Sequence, residues 1–391
     1  MKGKSPSPAN RPASNGPGAP SILDGVRAEM LDEYRQEHCY PWVVAYSGGK
    51  DSTLVMQLVF ELLLSLPRKE RKREVHIASN DTLVESPLVI EHLKKSLQSI
   101  RQAAQKKKLP VFATLTEPCV DDTFWVNVIG RGYIPPTRSF RWCTDRMKIR
   151  PANHYINRLV KTHGGAILLI GTRKSESANR RRNIERREKA NGRLNPHAQI
   201  ENCHMFTPIA DLDDDDVWLE LMDATPPWGG THQELVTLYR NALGGECPVV
   251  LSKADVPSCG TTSPRFGCWT CTVVQKDRSL EGLVESGFEI FEPLMKFRDW
   301  LQALREDNNN RMNVRRDGST KYRNGNRVYG PFKMEVRKKI LEKLQQLESQ
   351  TGRELISRDE MIIIHDVWDR DSAVYETRDA LFRMMRGQVA A

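Results

Sequence analysis

Apolar positions in this chain repeat with two different periods. A helical period covers 22–37, and a short apolar run follows at 42–46 and breaks on two glycines. A second apolar-periodic helix opens at about Asp51 and runs through Leu54, Val55, Leu58, Val59 and Leu62. A Lys/Arg-rich loop at 68–73 leads into a strand at 75–78, which ends in the polar string Ser79-Asn80-Asp81-Thr82. The pattern then predicts a helix over about 87–107 and a strand over 110–115. Residues 123–145 carry neither period and are aromatic, basic and punctuated by Gly and Pro. A helix at 151–163 precedes the continuous apolar run 166–170, which suits a central parallel strand and stops at Gly171. Strands alternating with helices predict an α/β fold with an open, doubly wound, mostly parallel sheet.

Beyond residue 230 the pattern changes. Cysteines and Gly/Pro loops come first, then mostly helix, including 333–348 with Gly352 just past its end. Ser357 and Glu360 form a candidate capping box for a helix at 358–368. The reading is therefore a disordered tail at 1–20, a sheet domain at 21–230 and a cysteine-bearing, mainly helical region at 231–391. The 391 residues suffice for two domains. No stretch approaches the ~20 apolar residues of a membrane span, and the polar N-terminus lacks a signal core. The expectation is a cytoplasmic protein with no membrane contact. Its net charge of +9 favours a polyanionic partner.

Chemistry concentrates at the first strand–helix turn, Ser47-Gly48-Gly49-Lys50-Asp51-Ser52. Adjacent glycines let backbone amides turn inward as an anion-binding nest. The helix behind adds its unpaired N–H groups and positive dipole end. A phosphate cradle at the carboxyl edge of a parallel sheet follows. It is not a Walker A loop, whose spacing between glycines is absent. The loop after the second buried strand, Gly171 to Arg180, shares that edge. Arg173 there is placed to neutralise charge on a phosphoryl transition state. Asp213 to Asp216 read as solvated residues at a helix start. Mg²⁺ would arrive with ATP, held mostly by phosphates, with Asp51 as its protein neighbour.

Of eight cysteines, Cys39, Cys119 and Cys203 are scattered. Cys247, Cys259, Cys268 and Cys271 crowd together with a Cys-x2-Cys pair, which suits a four-thiolate site for zinc or an iron–sulfur cluster. Spacing does not separate those metals. The bulky Cys268-Trp269-Thr270-Cys271 surroundings favour [4Fe–4S]. Cys143 could replace Cys247 as a ligand, serve as a free thiol carrying persulfide sulfur with its pKa lowered by Arg141 and Arg146, or be a buried structural cysteine. Three basic groups, Arg180 to Arg193, Arg138 to Arg150 and Arg311 to Lys338, suit a nucleic-acid backbone.

Ser-Gly-Gly-Lys-Asp-Ser resembles the PP-loop of ATP pyrophosphatases (adenine nucleotide α-hydrolase-like fold). Within that family the chain resembles the phosphoadenosine phosphosulfate (PAPS) reductase branch at Gly171, Arg173, Glu176, Ser177 and Arg180. Cys143 to Pro151 and the stretch Thr207 to Trp218 resemble it too, although Leu212 stands where that branch has Trp. The resemblance implies ATP held by Ser47, Gly48, Gly49, Lys50, Asp51, Ser52, Gly171, Arg173, Glu176 and Arg180, with adenine near Asn80 and Asp81. It implies catalytic roles for Lys50, Cys143 and Arg173. Strings such as Asn127 to Pro136, Trp228 to His232 and Arg265 to Cys271 are similar to the DndC family, the sulfurtransferases of DNA phosphorothioation. That similarity implies DNA as substrate, a cysteine desulfurase as sulfur donor, a [4Fe–4S] cluster and other Dnd proteins as partners. The rival readings are a PAPS or adenylylsulfate reductase, a tRNA thiolase, and a metal-bearing DNA-binding regulator. A reductase would need a thiol near its C-terminus, and the last cysteine here is Cys271.

Overall fold

A computed structural model of the chain describes residues 22–242 and 267–387. The expected tail 1–20 lies outside the described residues, as do Cys247 and Cys259. The order begins α1 (Ile22–Tyr34), β1 (Trp42–Ala45), α2 (Lys50–Ser65), β2 (Val75–Asn80), α3 (Pro87–Lys107) and β3 (Val111–Thr116). Pro87 opens α3 where the missing N–H costs nothing. Next come a π-helical turn at Val126–Gly130, the short α4 (Trp142–Thr144), a second π-helical turn at Asp145–Ile149, and α5 (Arg150–His163). The order continues β4 (Ala166–Leu169), α6 (Ala178–Asn191), β5 (Asn195–Pro196), β6 (Cys203–Phe206), α7 (Asp214–Asp223) and α8 (Gln233–Ala242). Then follow α9 (Arg278–Glu285), α10 (Phe291–Glu306), β7 (Lys321–Arg323), β8 (Asn326–Val328), α11 (Met334–Thr351) and α12 (Arg358–Gly387).

The six-stranded sheet has the order β3-β2-β1-β4-β6-β5, parallel except where β5 runs against β6. Trp42 pairs with Val75 on one side and Ile167 on the other. The chain winds one way from β1 to β3 and the other way from β4, so the crevice at the carboxyl ends of β1 and β4 is the switch point. This is the open, doubly wound sheet that the periodicity predicts. Alternate residues of β1 face opposite layers. Trp42 and Val44 pack with Leu54, Val55 and Leu58 of α2, and Val43 packs with Tyr155, Ile156 and Leu159 of α5. Burial on both faces is why these strands read as continuous apolar runs. Leu235, Val236 and Tyr239 bring α8 into the α2 layer.

A second core forms under the C-terminal helices. Phe297 and Leu301 of α10, Ile340 and Leu344 of α11 and Ile364 of α12 enclose Phe124, Trp125, Val128 and Ile129. The aromatic segment without a period is thus the sheet domain's contribution to the helical core. Two indoles fix it: Trp125 Nε1 donates to Leu355 O at 2.7 Å, and Trp368 Nε1 to Ile129 O at 2.9 Å. Among the described residues no helix is long and apolar enough to cross a membrane.

His232 fastens the loop before α8 to α2, with Nε2 2.7 Å from Gln57 Oε1. Burial, with His92 adding, pushes its pKa down from 6.5 to about 4. Between those values the unfolded chain binds the extra proton, so His232's contribution is complete above pH 6.5 and is lost as pH falls toward 4. Thermal melts across that window should show the wild type losing as much as about 3 kcal/mol more than His232→Gln. Parallel curves for the two proteins would contradict this.

Candidate active site

The loop between β1 and α2 is folded by its own hydroxyls. Ser47 N donates to Ser52 Oγ at 3.2 Å, and Ser52 Oγ donates to Gly49 O at 2.9 Å. Gly48 takes φ +74°, which favours glycine, and no side chain caps α2 at Gly49. The first amides of α2 therefore face the crevice, where an anion gains from the helix dipole. Tyr239 of α8 leans over them, and its hydroxyl oxygen accepts Lys50 N at 3.3 Å. Burial pushes this phenol far above its usual range, so it stays neutral. Sequence reasoning missed Tyr239, because its place in an apolar helix period reads as core alone.

Gly171, after β4, meets the start of α2 backbone to backbone. A Cβ there would sit 2.9 Å from both C and O of Asp51. This contact lets Arg173 reach under the loop. Its Nε donates to Asp51 Oδ1 at 2.7 Å, its Nη2 pairs with Asp214, and its Nη1 donates to Ser175 Oγ at 3.0 Å. Lys50 Nζ lies 3.1 Å from Asp51 and 3.2 Å from Asp214. Two cations and two carboxylates thus close a ring in which Arg173 is 1% exposed and Lys50 5%. Burial disfavours charge on Arg173, yet Asp51 and Asp214 hold its pKa above normal. Burial would raise Asp214, yet Lys50 and Arg173 pull it below the usual carboxylate range.

Asp214 corrects the expectation for the acidic run. Asp213 and Asp216 do cap the helix reciprocally, at 2.9 and 2.8 Å. Asp214 instead turns toward the crevice. A row of four aspartates carries no signal to single it out. Glu176 accepts Arg173 N at 2.9 Å and pairs with the exposed Arg180, so both shape the loop around Arg173.

The loop after β2 is committed to a neighbouring thiol group. Asn80 Nδ2 donates to Met147 O at 2.7 Å, and Asp81 Oδ1 caps Leu83 N at 2.9 Å. Thr82 Oγ1 lies 3.3 Å from Cys268 Sγ, Glu85 pairs with Cys268 as an antiparallel bridge, and Trp269 N donates to Val84 O at 3.0 Å. Cys271 interacts electrostatically with both Cys143 and Cys268. Burial pushes Cys143 up, and burial with Glu85 pushes Cys268 up strongly. The expected depression of Cys143 by Arg141 and Arg146 is absent, because Arg146 turns away to Asp122 at 2.5 Å. Lys148, its side chain 49% exposed, takes that place 2.9 Å from Glu85, whose carboxylate favours the ammonium charge. Fully buried Arg298 clamps the thiol loop through Cys271 O at 2.9 Å and Gln275 O at 2.6 Å. No sequence motif marked it.

A cleft of about 370 Å³ opens at the ends of β1 and β2, lined by Ala45, Ala78, Ala152, Ile156, His197 and Lys148. Small apolar walls at a switch point suit a flat base. Three half-buried thiols with a soft-metal donor set fit an iron–sulfur cluster or zinc, and Cys143, Cys268 and Cys271 would be its described ligands. Among the described residues Glu74, His76 and His163 are the His/Cys/Asp/Glu group whose ligand atoms all lie within 4.8 Å of one another, and the three thiols are not drawn together to that extent. His76 there is already satisfied by Glu74 at 3.0 Å and Tyr155 at 2.9 Å. Arg181, Arg182, Arg186 and Arg187 lie exposed on α6.

The family model of the phosphoadenosine phosphosulfate reductase domain matches residues 41–274. An uncharacterized protein of Methanocaldococcus jannaschii is 22% identical over 194 residues, covering 50% of this chain and 34% of the relative. The chain thus spans about a third of the length of the curated relative it matches. Among solved structures, PAPS reductase of Candida auris in a phosphate complex aligns at 13% identity and TM-score 0.31, over 51% of this chain and 84% of that one. The U34-tRNA thiolase NcsA of Methanococcus maripaludis, with its [4Fe–4S] cluster, aligns at 14% and 0.33, over 75% and 82%. An FMN adenylyltransferase of Candida glabrata aligns at 10% and 0.33, over 57% and 61%.

The backbone contact at Gly171 leaves no room for a methyl group. Gly171→Ala is expected to cost about 1–3 kcal/mol of stability and to push the β4 loop away from Asp51. Melting with and without a non-hydrolysable ATP analogue checks both effects. A variant that melts like the wild type and is stabilised equally by the analogue would contradict the geometry.

Proposed function

The chain belongs to the phosphoadenosine phosphosulfate reductase domain family, and we propose that it is an ATP-dependent sulfurtransferase acting on a backbone phosphate of DNA. One observation carries the reading. Lys148 lines the cleft suited to a nucleotide and pairs at 2.9 Å with Glu85, whose Oε1 lies 3.8 Å from Cys268 Sγ. That pair joins the nucleotide cleft to the thiol group, so activation and sulfur delivery are neighbours.

The β- and γ-phosphates of ATP would rest at the start of α2 and on the hydroxyls of Ser47 and Ser52, taking over Lys50 N from the Tyr239 hydroxyl and Gly49 N from Ser47 Oγ. Mg²⁺ would come with the nucleotide. Lys50 and Arg173 are already charged and oriented, so they stabilise developing negative charge without reorganising. A DNA phosphate oxygen attacks the α-phosphorus, and pyrophosphate leaves. The adenylated phosphate then carries AMP as leaving group. Cys143, loaded as a persulfide by a cysteine desulfurase, attacks through its outer sulfur. The P–S bond forms and the P–O bond to AMP breaks. A second thiol, that of Cys271, would split the S–S bond and leave phosphorothioate and a disulfide that a thiol reductant resets. In the alternative arrangement Cys143, Cys268 and Cys271 would hold a [4Fe–4S] cluster, which would supply the sulfur in place of the persulfide. Other Dnd proteins would deliver the DNA and the donor.

With DNA, a desulfurase and an anaerobic preparation, the wild type should release pyrophosphate from ATP. Lys50→Ala and Arg173→Ala should each lower that rate about 10²–10³-fold. Cys143→Ala should still release pyrophosphate but leave no sulfur on DNA, read by mass spectrometry of nucleotides. Sulfur appearing in tRNA nucleosides instead would assign the rival substrate, and an absence of pyrophosphate release by the wild type would end the adenylation reading.

A further inference from the structure

Far along the chain from the nucleotide cleft, β7 and β8 form a hairpin whose side chains stand in solvent. Asn324 at φ +51° and Gly325 at φ +77° make the tight two-residue turn that matches strand twist. Lys321, Tyr322, Arg323 and Arg327 are all exposed, and Tyr322 is 58% exposed. Tyr322 stands opposite Arg327 across the ladder, with its hydroxyl accepting the guanidinium at 3.3 Å. Both faces of the ribbon are therefore basic. A two-stranded hairpin has little stability of its own, so this one depends on its foot. There Arg316 grips Asp371 of α12 through both nitrogens, at 2.6 and 3.0 Å, and donates to Arg131 O at 2.9 Å.

The foot is itself a cavity. Arg131, Arg316 and Arg370 line about 260 Å³ beside Asp371 and Val367. Asp371 is shared by Arg316 and the buried Arg337, so its single charge answers two guanidiniums. Asp317, the acid between the foot and the ribbon, is held ionised by Ser319 N at 2.9 Å and Ser319 Oγ at 2.6 Å, and Arg131 pairs with Asp121 at 2.7 Å. Arg316 and Arg370 at the cavity and Arg315, Lys321, Arg323 and Arg327 along the hairpin outnumber these acids, so an excess of positive charge runs from the cavity up both faces of the ribbon.

We propose that the β7–β8 hairpin and the cavity at its foot dock duplex DNA, with the ribbon in the major groove and the cavity on an adjacent backbone phosphate. Charge complementarity selects a polyanion. Shape selects the duplex, because the major groove of B-form DNA, about 12 Å wide, admits a two-stranded ribbon, whereas the deep, narrow groove of A-form RNA does not. The inference rests on the DNA reading above and adds to it the surface that holds the substrate, on the helical region rather than the sheet.

The test is fluorescence anisotropy of a short labelled duplex with the full-length protein, across about 50–200 mM salt. The triple variant Lys321→Gln, Arg323→Gln, Arg327→Gln should bind DNA at least tenfold more weakly. Its slope of log affinity against log salt should be shallower by about 3, at ~0.9 for each phosphate no longer neutralised. Arg370→Gln should lower the slope by about 1. An unchanged melting temperature checks that the exposed substitutions leave the fold intact. Wild-type and variant proteins binding DNA with equal affinity and slope would overturn the hairpin's role while leaving the sulfurtransferase reading standing. A wild type that binds no duplex would remove the DNA substrate itself. Equal losses on duplex RNA would overturn the groove assignment.

Discussion

The buried guanidinium of Arg173 organises the site. Moving such a charge out of water costs several kcal/mol, so it persists only where anions surround it. Asp51 from the first turn of α2 and Asp214 from the first turn of α7 meet that demand. Three segments distant in sequence are thereby drawn to one point at the switch of the sheet. The same ring holds Lys50 against both carboxylates, which fixes the ammonium beside the phosphate nest. On the proposed reading a nucleotide bringing its own negative charge would find both cations already in place, and electrostatic preorganisation of that kind is usually the largest single contribution to catalysis.

The second core explains why thiol chemistry sits so near. Residues 124–147 leave the sheet domain and are packed by α10, α11 and α12. Cys143 rides on the turn between Trp142, buried against Phe124, and the π-helical Asp145–Ile149. Cys268 pairs with the loop after β2, so the helical region delivers its thiols to the carboxyl edge of the sheet. Arg298 adds the constraint that keeps the Cys271 turn from relaxing, since it binds carbonyls on both sides of the loop. The two cores are therefore interlocked through the thiol group.

Elements with a clean period were legible in the sequence. Helix α3 occupies the expected 87–107, and β1, β2, β3 and β4 fall where the apolar runs predict. Strand β6, Cys203–Phe206, escaped because a half-polar run of four residues carries no period, and two-residue β5 exists only as its partner. Helix α12 runs to Gly387, well past the expected 368. The phosphate loop and Arg173 were visible because their chemistry is local and ordered along the chain. Lys148 was visible too, as one of the basic residues along the Cys143 segment. Asp214, Tyr239 and Arg298 were not: each acts through a tertiary contact, and each sits in a run where a bland role reads equally well, an acidic helix start, an apolar stripe or an amphipathic helix.

Charge balance at the thiol group ties these parts into one mechanism. Thiols are weak nucleophiles until deprotonated, and burial here opposes deprotonation at Cys143 and Cys268. A persulfide, with its more acidic outer sulfur, or coordination to a soft metal both relieve that opposition, because each puts negative charge where Lys148 can answer it. Lys148 also lines the cleft proposed to take the nucleotide. An adenylated phosphate arriving there would compete for the same ammonium, so the cation draws electrophile and sulfur toward each other. On the proposed mechanism the thiols would stay protonated while unloaded, and the site would become reactive only when sulfur and activated phosphate are both present.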